Sequence, residues 1–80
     1  MKASENALFT STRRGMKRHA ARLERARRRL EEQETLVTVY RGVHNALDQS
    51  GQPSEVSAKM LRALERTLAD FRADVARLSN

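Results

Sequence analysis

One helix-breaking run, Ser50-Gly51-Gln52-Pro53, separates two stretches in which apolar residues recur every seven positions, and this leaves the chain one economical architecture. Before the break, Met16, Leu23, Leu30, Val37 and His44 form one series, and His19, Ala26, Gln33, Tyr40 and Leu47 form the series three residues later. After it, Leu61, Leu68 and Val75 interleave with Leu64, Phe71 and Leu78. Two interleaved seven-residue series mark helices that pack along a shared seam. Gly51 suits the left-handed position that closes a helix, and Pro53, with Glu55 close behind, suits the first turn of the next one. The pattern predicts an all-α, single-domain chain: a flexible segment over residues 1–12, a long helix over 13–49, a turn over 50–53 and a second helix over 54–79.

A turn of four residues favours antiparallel neighbours. Folding at Gly51 then sets Leu47 beside Ser57, His44 beside Leu61, Tyr40 beside Leu64, Val37 beside Leu68, Gln33 beside Phe71 and Leu30 beside Val75. At ~1.5 Å per residue the second helix reaches some ~38 Å, so it runs out near Ala26 and the first helix has no intrachain cover before Leu23. The start of the first helix is less regular. Ser11 or Thr12 suits a cap, but Arg13 and Arg14 in a first turn oppose the helix dipole, and Gly15 in an interior costs about 1 kcal/mol relative to alanine. A frayed or kinked start follows, with Leu8 and Phe9 folding back onto Met16 and Ala20. Further along, Glu24 precedes Arg28 by four residues, and Arg27 and Arg28 precede Glu31 and Glu32 by four, pairs that support the charged middle.

The segment without cover is also the basic one. Between Arg13 and Arg29 nine cations face one acid, Glu24, for a local +8, whereas residues 30–80 carry six cations and eight acids. Arg14, Arg18, Arg22, Arg25 and Arg29 recur every three or four residues and form one line on a helix. Like-charged neighbours a turn apart repel by roughly 0.2–0.5 kcal/mol per pair, and no acid of the line relieves them. Thirteen arginines against three lysines favour paired hydrogen bonds to carboxylate or phosphate. The line reads as a docking ridge built from Arg14, Lys17, Arg18, Arg22, Arg25, Arg28 and Arg29, with Met16 and Leu23 as apolar anchors. An acidic partner protein or a nucleoprotein complex is the first reading of its target. Sequence-nonspecific binding of DNA or RNA is the alternative, because no Asn, Gln or aromatic residue lies on the ridge to read bases. A bundle-forming structural subunit of a larger assembly is the third.

Eighty residues give a thin core, and the absence of cysteine removes disulfides and thiolate metal sites. Self-association through Leu36, Val43 and Met60 would supply the missing burial, two hairpins forming a four-helix bundle. Nothing in the sequence asks for a metal or a cofactor, and catalysis finds no constellation. His19 and His44 are twenty-five residues apart on one helix, and Glu31, Glu32 and Glu34 point in different directions with arginine neighbours. Gly15, Gly42 and Gly51 are too scattered for a phosphate loop, and Ser50, Ser54 and Ser57 lack a histidine at motif spacing. No apolar run approaches the ~18 residues of a membrane span. Residues 1–11 lack the basic start and apolar stretch of a secretory signal, so the expected location is cytoplasmic.

Overall fold

A computed structural model describes the backbone over residues 2–80 and side chains over residues 14–80. Among the described residues all regular structure is helical: α1 spans Lys2–Gln49, α2 spans Glu55–Ser79, and no strand is present. The two helices lie against each other as a hairpin. The molecule measures 75 × 15 × 14 Å. Its length is that of one helix of about 48 residues at ~1.5 Å each, and its width that of two helices at most. α1 begins at Lys2, whereas the sequence predicts a flexible segment over residues 1–12 and a helix from residue 13; the contacts expected of Leu8 and Phe9 with Met16 and Ala20 lie outside the described side chains.

The turn is closed by backbone hydrogen bonds. The Gln52 amide donates to the Leu47 carbonyl at 2.9 Å and the Gly51 amide to the Asp48 carbonyl at 3.2 Å. These are the two crossed bonds of a Schellman ending, and they require Gly51 at φ 71°. Pro53 lies just before the cap of α2 rather than in its first turn. Ser54 holds the cap position without a side-chain bond, its carbonyl accepting the Ala58 amide at 2.9 Å. A Cβ on Gly51 would meet no atom within 4 Å, so only its backbone conformation resists substitution. Gly51→Ala is therefore expected to cost about 1–2 kcal/mol. Gly42, inside α1 and equally open, is the contrast: Gly42→Ala should gain about 1 kcal/mol by helix propensity. Thermal unfolding of the two variants checks this, since about 1 kcal/mol moves the midpoint of so small a domain by roughly 4–8 °C.

The seam is real but thin. Among the described residues the buried apolar side chains are Ala26, Val37 and Leu68, with Val37 at 2% and Leu68 at 6% exposure. Leu23, Leu30, Tyr40, Leu47, Leu61, Leu64, Phe71, Val75 and Leu78 are half-buried, as a two-helix unit without a third layer must leave them. Two polar residues are buried in the same seam, Gln33 and Ser57, and both are bonded. Gln33 Nε2 donates to the Leu64 carbonyl at 2.9 Å, although the register sets Gln33 beside Phe71. Leu64 and Phe71 are ~10 Å apart along α2, so this bond departs from the expected register by more than a turn toward the loop. His44 similarly meets Ser57, one turn nearer the loop than Leu61.

Candidate functional site

The helices differ in length, 48 residues against 25, and this difference creates the site. Burial ends where α2 ends: Ala26 is buried, Leu23 half-buried, and every residue from Arg14 to Arg22 is exposed, Met16 at 67%. Of the two apolar anchors, Leu23 thus sits at the edge of the cover and Met16 in the open. Arg14, Lys17, Arg18, Arg22, Arg25, Arg28 and Arg29 are all exposed. The five ridge arginines occupy some ~22 Å of helix. Among the described residues, ion pairs within 4.0 Å form at Arg28–Glu24, Arg41–Glu65 and Arg77–Asp74, and none involves Arg14, Lys17, Arg18, Arg22, Arg25 or Arg29.

Arg28 is the member of the set already in an ion pair, 3.7 Å from Glu24 with both side chains exposed. An exposed pair of this kind is worth a few tenths of a kcal/mol, so it does not withhold Arg28 from a stronger acceptor. The expected Arg27–Glu31 and Arg28–Glu32 pairs do not close within 4.0 Å. Order explains it: at four-residue spacing a glutamate that precedes its cation pairs better with it than one that follows.

At the end of α2 the ridge gains neighbours. Arg22, Arg25 and Arg29 line a shallow hollow with Ala26, Asp74, Arg77 and Leu78. Asp74 is its one carboxylate, and Arg77 already holds it at 2.6 Å. Four guanidiniums therefore share one engaged acid. Asp74, Arg77 and Leu78 did not figure in the sequence reading of the site. The signal for them was present, because pairing Leu30 with Val75 brings the last turns of α2 to the level of Arg29.

The second set of sequence-derived residues, Leu36, Val43 and Met60, proves to lie on the flank that carries the ridge. Arg22, Arg29, Leu36 and Val43 are spaced by sevens, so they form one stripe of α1. The opposite flank is identified by the Arg41–Glu65 bond of 3.1 Å and by a polar hollow lined by Glu34, Thr38, Arg41, Glu65 and Arg72. Val43 is about 200° around α1 from Arg41, and Met60 about 140° around α2 from Glu65, so both point away from that polar flank. Val56 enlarges the apolar area and Val39 stands at its edge, lining a hollow with Glu31, Glu34, Thr35 and Thr38; the five apolar residues are 43–73% exposed. The flank is basic at the arm end and apolar at the turn end.

Ser57, which has no histidine at motif spacing in the sequence, meets His44 across the hairpin. His44 Nδ1 is 2.8 Å from Ser57 Oγ, while that Oγ donates to the Ser54 carbonyl at 2.9 Å. A hydroxyl has one proton, so both contacts hold together only when Nδ1–H donates to Oγ. The imidazole is then a donor to the serine, the reverse of the arrangement that activates a nucleophile. The pairing was hidden because the two residues belong to different helices. Tyr40 and Phe71 are half-buried seam residues. Among the described residues no helix is long and apolar enough to cross a membrane. None of the protein-family models, curated proteins or solved structures compared with this chain matches it.

Proposed function

We propose that this chain is a small non-catalytic interaction protein, of adaptor or inhibitor type, that docks on an acidic partner protein or nucleoprotein complex through Arg14, Lys17, Arg18, Arg22, Arg25, Arg28 and Arg29. The observation that carries the proposal is the length mismatch, which leaves arginines of α1 beyond the end of α2, exposed and without a carboxylate within 4.0 Å among the described residues. Holding like charges in a line costs helix stability, and an external anion offsets that cost with charge-assisted bonds. Met16 and Leu23, beside the ridge, supply apolar contact to the same partner. We place the protein in the cytoplasm.

In this reading the hairpin is antiparallel, and two hairpins pair through Leu36, Val43 and Met60 into a four-helix bundle. The thinness of the core supports it: three buried apolar side chains among the described residues are few for a chain that folds alone. Leu36→Glu places a charge in the proposed interface while sparing the seam. Sedimentation should give a dimer for the parent and a monomer for the variant. A monomeric parent at tens of micromolar would remove the bundle from the proposal.

The docking target is tested by titrating the protein with an acidic polypeptide, a duplex oligonucleotide and a single-stranded oligonucleotide, each fluorescent, at two salt concentrations. Tighter binding of the acidic polypeptide supports the first reading. Micromolar binding of either nucleic acid with a steep salt slope, and none of the polypeptide, transfers the ridge to phosphate recognition.

A further inference from the structure

We infer that two copies of this chain pair through the turn-end apolar flank with their basic arms at opposite ends, making a two-ended molecule with one arginine ridge at each end. The inference rests on the proposed pairing of hairpins and adds its direction. The occupant of the flank is a second copy for two reasons. A hairpin that buries three apolar side chains among its described residues needs cover whenever it is folded, and its own twin is the one surface always present with it. Leu36, Val43, Val56 and Met60 are also uncharged, so they can be laid on their own copy across a twofold axis without opposing like charges.

The direction follows from the ridge and the apolar area sharing one flank. Two copies can superpose their apolar areas in two ways. With arms at the same end, both segments of local charge +8 would run side by side, separated by a bundle width comparable with the ~8–10 Å Debye length, where repulsion is only partly screened. With the twofold axis across the helices near Val43, each ridge instead lies past the turn of the other copy. Charge favours the second arrangement. The arms then project in opposite directions and the ridges face opposite sides, which allows one dimer to join two acidic partners and gain from double attachment where the partners are themselves linked.

The lack of cysteine allows a clean test, because a single introduced cysteine is the only thiol to label. Ala21 and Gln49 are exposed and outside the docking and pairing sets. With opposed arms, Ala21→Cys labels should be ~65 Å apart and Gln49→Cys labels within ~25 Å; with arms together both pairs should be within ~25 Å. Donor-labelled and acceptor-labelled copies are unfolded together, refolded as a mixture, and read at a concentration where sedimentation gives the dimer. Strong energy transfer from position 49 with several-fold weaker transfer from position 21 supports the inference. Strong transfer from both positions, or from 21 alone, overturns the opposed direction while leaving the pairing of copies in place. A monomeric mass with no transfer at either position overturns the pairing itself.

Discussion

Replacing Arg18, Arg22 and Arg25 by glutamate should abolish binding of the acidic polypeptide while helix content, read by circular dichroism, stays at the parent level or rises. The substitutions remove three of the ridge cations and add three anions, changing the net charge from +6 by six units to zero. They act on exposed side chains with no ion-pair partner among the described residues, so nothing in the fold is lost with them. The helix gains instead. A glutamate at position 25 would precede Arg29 by four residues and one at position 18 would follow Arg14 by four, turning repulsive neighbours into attractive ones worth about 0.2–0.5 kcal/mol each. Loss of binding with intact helix content separates a docking ridge from a face that only keeps the protein dissolved. Against a nucleic acid the same variant should lose its affinity and, at three phosphate contacts, about 2.7 units of logarithmic salt slope. Binding that survives the triple reversal at parent affinity for every one of these anions would end the case for the ridge.

The hairpin and the exposed ridge could be read from spacing because both depend on the helical period alone. Gly51 followed by Pro53 between two heptad series admits few other folds, and arginines at three- and four-residue intervals must line up wherever the helix forms. The partners of individual polar groups were less legible. Gln33 finds the Leu64 carbonyl, and His44 finds Ser57, through shifts of a turn or more toward the loop, which a seven-residue period does not fix. Arg28 had glutamates four residues to either side, and the choice between them turns on a few tenths of a kcal/mol. That Arg22, Arg29, Leu36 and Val43 share a stripe is contained in their spacing, but placing Met60 of α2 on the same flank required knowing which sides of the helices meet. The Arg41–Glu65 bond supplies that reference, and no feature within either helix alone contains it. Val39 and Val56 joined the apolar area for the same reason: each is separated by three or four residues from a member already identified, but exposure shows only once the seam is placed.

Leu68→Ala should remove most of the protein's stability at room temperature and lower its melting midpoint sharply. Leu68 and Val37 are the two most enclosed side chains of the seam, and both line the hollow that holds Arg41 and Glu65. Removing three carbons from a buried leucine costs about 2–5 kcal/mol through lost transfer energy and the cavity left behind. The lower half of that range applies, because a two-layer seam lets neighbours relax and water enter. Even about 2–3 kcal/mol approaches the whole stability of a scaffold of this size, roughly 3–5 kcal/mol. Leu36→Ala removes the same atoms from a position 44% exposed in the hairpin and should barely affect a monomer. In a dimer the ranking changes in a way that can be measured. Thermal midpoints of a protein whose copies cover each other rise with concentration, and Leu36→Ala should flatten that rise, whereas Leu68→Ala should lower the midpoint at every concentration. A Leu68→Ala variant that melts like the parent would mean that the seam between α1 and α2 is not what holds the helices together.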